Sequence, residues 1–598
     1  MFPLGNKAEI LATGFFSRLQ KSVRVHQREP QVELEQRASG QFQRQLQNSP
    51  VTARTSFAEH ISLKSISRDK SMTENRDVLS DNVSRVLGRD AQHNNILAAK
   101  IIADIIKTTL GPKGMDKMLV STDGEITVTN DGATILREIE IEHPAARMMV
   151  EIAKTQEREV GDGTTTAVIL AGKLLEQAEI LINKKVHPTT IVKGYKIASD
   201  KSIEYLTSIS KPLEKKETLI KIATTAMTGK VAESDKEHLA RLIVEAIDKT
   251  FDGKKADAEN VKLESIAGSH VSSSELIDGI VLNKEKINSE MPSMVTGAKI
   301  LLIDFPLEIK NPEMQTKISV STPEQLESFI SSEENYIREL SQKLISSGAN
   351  VIFCQKGIDD LVQYYLTKSQ ILAFRRIPKS DMEKISRATS ARIISNIEEI
   401  SSTNFGSAKI VEEIKSEEET LTYIGGCQNP KVVTLIIRGG TEHVAVEIQR
   451  AVIDGIGDVI AALSSERILP GGGATEISLA KRLRQFSKTL SGREQLAIEE
   501  FANALESIPQ ILAENAGLDP INTLAELRRK HEEGKTSFGL NLFTNSIEDA
   551  FQAGIIEPLK LKTVAISTAT EVASLILRVD DVLISKRKSE SPEKEVLD

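Results

Sequence analysis

GDGTTTAVILAGKLLEQAE (residues 161–179) opens with an acid between two glycines, runs through three threonines, and continues as a well-patterned helix. Thr164, Thr165 and Thr166 are β-branched and are not chosen for helix propensity. At a helix start, though, their hydroxyls join backbone N–H groups that lack intrahelical partners and sit at the positive end of the dipole. That combination suits an anion, and phosphate is the leading candidate. Asp162 would repel a bare phosphate, but it fits if a divalent cation such as Mg²⁺ lies between carboxylate and phosphates. The plainer alternative is a capped helix, with Asp162 and Thr164 near its start as the caps. This stretch alone leaves both readings open.

Four other short stretches share its style, with glycine for close backbone approach beside an acid or a small hydroxyl. They are TTLGPKG (108–114), TNDGAT (129–134), LPGGGAT (469–475) and GIIEPL (554–559). Glycine turns are common, so each is weak alone. GPKG lacks the Gly-Lys-Ser/Thr ending of a Walker A loop, and GGG does not fit a dinucleotide fingerprint. The nine histidines form no HExxH and no His/Cys cluster, which argues against a zinc enzyme. No GxSxG elbow is present for a hydrolase nucleophile. What remains is phosphoryl transfer to water, which needs positioning, a metal and a carboxylate near the attacking water.

The bulk composition bounds the rest. A chain of 598 residues exceeds one core and implies several domains. A net charge of −9 argues against nucleic-acid binding. Cys354 and Cys427 cannot build a disulfide framework or a cysteine zinc site, and they read as thiols in a reducing compartment. No apolar run reaches the roughly 20 residues a membrane span needs, so the expected location is cytoplasmic, with no membrane partner.

Along the chain, GRDAQHNNILAAKIIADIIKTTLGPKG (88–114) is an amphipathic helix stopped by Gly111-Pro112. A hairpin follows, turning at Asp123-Gly124, and then a second turn at Asn130-Asp131-Gly132. Helices are expected at about 144–157, 164–182, 189–208 and 234–250. Strands alternating with helices over about 260–440 predict an α/β domain inserted into a helical one, because the chain returns to helix after 441. The segment 321–348 reads as a helix with Pro323 in its first turn, Ser321 or Thr322 as cap, and an apolar stripe through 326, 329/330, 336/337, 340 and 344/345. Such a helix ordinarily covers a core.

Longer stretches carry a family resemblance. TTLGPKGMDKMLV (108–120), the run from TNDGAT through GDGTTTAVILAG (129–172), FCQKGIDDLVQYYL (353–366), GGGATEISLAKRLRQF (471–486), SGREQLAIEEFANALE (491–506) and ILAENAGLDPI (511–521) together resemble a group II chaperonin subunit. This is the TCP-1 family of the archaeal thermosome and the eukaryotic cytosolic chaperonin, and the likeness runs from about 80 to 585. It implies a multidomain α plus α/β fold: a helical equatorial domain (72–212 and 472–590), a hinge-like intermediate domain (213–282 and 434–471), and an α/β apical domain (283–433) for substrate. The helix from Pro323 and the excursion before it would form a helical protrusion at about 310–345, acting as a built-in lid. Residues 591–598 would be a flexible tail.

By the same resemblance, Leu110, Gly111 and Pro112 form a phosphate loop, Asp162 binds Mg²⁺, and Gly161 and Gly163 to Thr166 cradle phosphates. Asp131 would lie near the γ-phosphate. Asp454 would activate water, with Asp458 as a rival, and Lys230 would sense the γ-phosphate. Gly472 and Glu557 would contact base and ribose. The implied activity is ATP hydrolysis with Mg²⁺, with K⁺ as a further candidate ion. The implied partners are identical or paralogous subunits in two stacked rings of eight or nine positions, and unfolded polypeptides. The alternative is a passive ring that binds unfolded chains without turnover; the presence of Asp131, Asp162 and Asp454 favours the enzyme.

Residues 1–71 have no counterpart in the resemblance. They carry 11 Lys/Arg against 6 Asp/Glu, are rich in Gln and Arg, and show no core-forming period. The expectation is a dispensable, disordered extension, absent from the natural protein if translation starts at Met72. A transit peptide is the competing reading, opposed by its six acids.

Overall fold

The structure, a computed structural model, describes residues 83–230, 235–251, 256–308, 323–415, 420–427 and 432–585. The expectations for 1–71, for the excursion before Pro323 with its Ser321/Thr322 cap, and for the 591–598 tail lie outside these residues. The chain divides into Val86–Val582 and a smaller unit of residues 1–85 with 583–598, of which only strand residues 83–85 and 583–585 are described.

Within Val86–Val582 the largest hydrophobic core is helical and joins the two ends of the chain. Helix Gly88–Lys107 buries Ile96, Ala99, Ile102, Ala103 and Ile106, a three-and-four spacing that puts them on one face. Helix Thr164–Asn183 is the hub, buried on most sides through Ala167–Gly172, Leu174, Leu175, Ala178 and Leu181. Helices Pro144–Glu159 and Pro188–Ile209 each begin with proline at the first turn, behind a histidine whose side chain accepts the backbone N–H of Ala145 or Thr189. From the far end of the sequence, helices Ala474–Ser487, Glu494–Asn515 and Leu559–Leu577 complete the same core. Tyr195 shows how closely the halves meet: fully buried, it packs edge-on against Phe501 with ring centres 5.6 Å apart and donates its hydroxyl to the Leu174 carbonyl at 2.7 Å.

A second core spans residues 280–432 around a mixed sheet. Its strand order is Leu372–Phe374, Val351–Cys354, Met294–Ile303, Gly406–Lys415, Thr420–Gly425, Ile280–Leu282, with Ile393–Ile394 also pairing with Met294–Ile303. The first three strands run parallel, with helices as crossovers, Ile393–Ile394 also pairs parallel, and the remaining three pair antiparallel. The alternation read from the sequence fits the parallel half. The antiparallel half is an addition: Gly406–Lys415 and Thr420–Gly425 mix polar and apolar residues, as strands with one solvated face do. Helix Pro323–Ser346 lies against this core through Ile337, Leu340 and Leu344.

A third core links the other two. It comprises helices Lys216–Met227, Lys236–Thr250 and Glu442–Ser465 and a sheet in which Val261–Ala267 and Val433–Gly439 run parallel, Leu263 opposite Leu435. The chain therefore passes out to the mixed sheet and back along neighbouring strands. Helix Lys216–Met227 was not anticipated, because Thr218, Thr224 and Thr225 dilute its helical signal.

Candidate functional site

A cleft of about 360 Å³ opens between the helical core and the third core. One wall is the start of helix Thr164–Asn183. Its cap residue is Gly163, at φ 78° and with no side-chain cap, so the first backbone N–H groups remain available. The capped-helix alternative thus fails at this position. Gln156 anchors the turn by donating Nε2–H to the Asp162 carbonyl at 2.9 Å.

Asp131 caps a second helix, Gly132–Glu138, accepting the N–H groups of Ala133 (3.4 Å) and Thr134 (2.8 Å). The Thr164 hydroxyl also donates to Asp131 Oδ1 at 3.3 Å, so the carboxylate ties two helix N-termini together at one side of the cleft. A third segment, Thr109–Pro112, is held by Asn515, whose amide donates to the carbonyls of Lys107 (3.0 Å) and Leu110 (2.9 Å). Gly111 sits at φ 83° with Leu512 Cδ2 only 2.4 Å from where a Cβ would be, which restricts the position to glycine. Opposite, Gly472 accepts the Leu540 N–H at 2.8 Å, and Glu557 is held by Lys562 at 2.7 Å; Lys562 lies equally close to Glu476.

Lys230 completes the constellation. Its ammonium makes a close contact with Asp454 and lies 3.8 Å from Asp162. Burial opposes its charge, but the carboxylates of Asp454, Asp162 and Asp131 outweigh burial and raise its pKa. Burial, with help from Asp162 and Asp131, pushes the Asp454 carboxyl upward against the pull of Lys230. Lys230 is thus the group that opposes protonation of Asp454.

Every residue named from the sequence lines the cleft except Gly161 and Asp454. Asp454 stands behind Lys230. Gly161 faces away: a Cβ there would lie 3.0 Å from Gly457 Cα, so this glycine allows loop and helix to touch. The rival acid, Asp458, is itself on the cleft wall. The sequence reading missed Lys562, Asn130 (whose amide donates to the Gly229 carbonyl at 3.0 Å) and the pair Lys236–Phe543, with the ammonium 4.7 Å from the ring centre. A signal for Lys562 existed, in a lysine inside the apolar helix LKLKTVAIS (559–567).

A divalent cation can be tested against these groups. Among the described residues, no three His, Cys, Asp or Glu side chains converge to hold a metal by themselves. Asp162 is partly open to the cleft, beside bare helix N–H groups. That fits an ion such as Mg²⁺, which takes one or two carboxylates and finds its other ligands in phosphates and water.

Three cores, with one cleft lined from both ends of the chain, define a multidomain α plus α/β protein. A sequence profile of the TCP-1/cpn60 chaperonin family matches residues 102–587, and the chain belongs to that family. It is 51% identical over 526 residues to thermosome subunit alpha of Archaeoglobus fulgidus, covering 87% of this chain and 96% of that one. To thermosome subunit beta of the same organism it is 49% identical over 515 residues, covering 85% and 94%. Among solved structures, it matches the open-state monomer of a group II chaperonin from Methanococcoides burtonii at 43% identity and a TM-score of 0.55, covering 70% of this chain and 100% of that one. The chain is a group II chaperonin subunit. Among the described residues, no helix is long and apolar enough to cross a membrane.

Proposed function

We propose that the chain hydrolyses ATP with Mg²⁺ and uses the cycle to enclose unfolded polypeptides in a double-ring chamber, in the cytoplasm. The observation that carries this reading is the Lys230–Asp454 pair, set behind two helix N-termini that converge on one cleft. The backbone N–H groups of Gly163 to Thr166, and that of Gly111 in the Leu110–Pro112 loop, bind phosphate oxygens. Asp162 holds the cation, which when bound neutralises phosphate charge and polarises the terminal phosphoryl group. Lys230 follows the γ-phosphate and leaves Asp454. The carboxylate so released takes a proton from the attacking water, and its raised basicity favours that transfer. Asp131 holds the two helix starts in register near the terminal phosphate, and Gly472 and Glu557 border the sugar and base.

The three cores support the division into equatorial (72–212, 472–590), intermediate (213–282, 434–471) and apical (283–433) domains. Paralogous alpha and beta relatives in one organism support rings of identical or paralogous subunits. K⁺ is a second ion to test, since the cleft wall carries Asp131, Asp162, Asp458 and Glu557 against Lys230, Lys236 and Lys562. The deciding experiment is phosphate release by the assembled protein with ATP, with and without Mg²⁺ and with K⁺ varied. Assembled rings that release no phosphate would return the reading to a passive scaffold.

A further inference from the structure

Helix Lys379–Thr389 has two different sides. Met382, Ile385 and Ala388 join the mixed-sheet core, while Asp381, Lys384 and Arg387, spaced three apart, share another face. Strand Val261–Ala267 is divided in the same way. Val261 and Leu263 pack into the third core, and Lys262 and Glu264 project from the opposite face.

The two polar faces meet. Lys262, only 3% exposed, lies 2.8 Å from Glu264 and 3.4 Å from Asp381. Arg387 makes a close contact with Glu259 and lies 3.7 Å from Asp257, both in the turn that leads into the same strand. Burial first, then Lys262, lower the Lys384 pKa, while Asp381, Glu259 and Glu264 raise it, so its ammonium sits among all four. The rest of this boundary is built differently. Ile266 and Ile436 of the third-core sheet form a small apolar cluster with Val281 and Leu421 of the mixed sheet. Thr434, opposite Lys262 in register, accepts the Val281 N–H at 3.0 Å and donates its hydroxyl to the Gly279 carbonyl at 2.9 Å. Parting an apolar joint exposes its surface to water with nothing gained, whereas charges leaving a seam regain their hydration. The boundary therefore has a part that holds and a part that can let go.

We propose that the seam is an ion-pair latch between the third core and the mixed-sheet core. Closed, it fixes their relative orientation; when its charges are re-solvated, the mixed-sheet core turns about the joint at Thr434 and Ile266. The latch is read without nucleotide, so failure of the ATP-hydrolysis proposal would leave it standing.

The test is single-molecule energy transfer in assembled protein with one labelled subunit per assembly. Dyes are carried by Glu245→Cys on helix Lys236–Thr250 and Tyr364→Cys on helix Asp360–Lys368, both exposed, with Cys354→Ala and Cys427→Ala removing the native thiols. The readout is the ratio of separated to closed subunits. Arg387→Glu removes two exposed pairs, each worth a factor of about 1.4–5, and should raise that ratio by about two- to thirtyfold. Raising NaCl from about 0.05 to about 1 M should move wild type in the same direction. Arg387→Glu combined with Glu259→Arg rebuilds a pair of reversed polarity and should recover most of the change. Lys379→Glu makes the same charge change on the same helix, beside Glu383 and outside the seam, and should leave the ratio alone.

A ratio that Arg387→Glu and salt both leave unchanged would overturn the proposal. So would a reversed pair as open as Arg387→Glu alone, or Lys379→Glu opening as far. Arg387 is 40% exposed, so the single variant should fold; Glu259→Arg, on a still more exposed side chain, asks the same question from the strand side if it does not assemble.

Discussion

Replacing Lys230 by methionine removes the ammonium while keeping much of the side chain's bulk. Asp454 and Lys230 are 13% and 18% exposed as side chains, so the pair is largely desolvated. Removing one partner of such a pair costs about 3–5 kcal/mol, because a buried charge is left uncompensated. Asp454 can lower that cost only by taking a proton, toward which burial, Asp162 and Asp131 already push it. The loss is therefore pH-dependent in a definite sense. In wild type the raised Lys230 pKa contributes stability that is complete below the lysine's unfolded value of 10.5 and lost only above it, so the pair holds across neutral pH. Without Lys230 to oppose burial the Asp454 pKa rises further, and such a carboxyl contributes stability present below its unfolded value of 3.8 and lost as pH rises, so the variant weakens from about pH 4 upward. At about 2–4 °C per kcal/mol for a unit of a few hundred residues, the neutral-pH melting point should fall by about 6–20 °C, and less in mild acid. Differential scanning fluorimetry of ligand-free protein over a pH series measures this directly. Adding Asp454→Asn should restore most of the loss, because the two changes act on one contact and cannot add. A Lys230→Met variant that melts with wild type at every pH, or a double variant no better than the single, would refute the account of the pair.

Asp454→Ala should reduce ATP turnover by about 10²–10⁴-fold while leaving Mg²⁺·ADP affinity within a few-fold, since it removes the proton acceptor and not the cradle; phosphate release and calorimetry separate the two. Asp162→Ala should instead weaken Mg²⁺·nucleotide binding itself, and equal losses of binding in both variants would show that the assignment of roles is wrong. Gly111→Ala puts a Cβ against Leu512 in a left-handed turn, and should cost about 1–3 kcal/mol and weaken nucleotide binding, read from melts with and without Mg²⁺·ADP. Glu506 is buried between Arg484 and Arg528; burial raises its pKa but the two arginines outweigh it and depress it. Its contribution is therefore present above about pH 4.5 and lost on acidification, so Glu506→Gln should be less stable at neutral pH and show a smaller further loss on acidification.

The parts of this structure legible in the sequence are those encoded locally. Gly163 before Thr164 and Pro144 or Pro188 at first turns are start signals readable over four residues, and the helices begin there as expected, whereas the turn read at Asn130-Asp131-Gly132 opens the short helix Gly132–Glu138. The cleft's glycines and acids announced themselves by composition. What resisted reading is non-local. Gly161 carries the same motif as Gly163 but faces Gly457, and only the packing of helix Glu442–Ser465 decides that. Lys562 reads as a helix lysine until Glu476 and Glu557, 86 and 5 residues away in sequence, are seen on either side of it. Asp454 and Asp458 differ by a single turn of one helix, a distinction no spacing argument could turn into one acid with a lysine and one without.

Under the proposed function, the same helix lets a nucleotide in the cleft act between two cores. Glu442–Ser465 belongs to the third core through Ile448, Val452, Ile456 and Val459, yet it places Asp458 on the wall of a cleft that the start of helix Thr164–Asn183, in the helical core, also lines. Lys230 follows the end of helix Lys216–Met227, also in the third core, and approaches Asp162 at the start of the hub helix. Phosphate charge entering between Asp162 and Lys230 therefore acts across a boundary between two cores and not within either. The third core is joined to the mixed sheet by the parallel strands Val261–Ala267 and Val433–Gly439. Any shift of Lys230 away from Asp454 is thus imposed on the one core through which the chain leaves for the mixed sheet and returns. Measured by fluorescence energy transfer between labels in the helical core and the mixed sheet, the nucleotide-driven change should vanish in Lys230→Met while Mg²⁺·ADP still binds. A variant that binds nucleotide and still moves would place the coupling elsewhere.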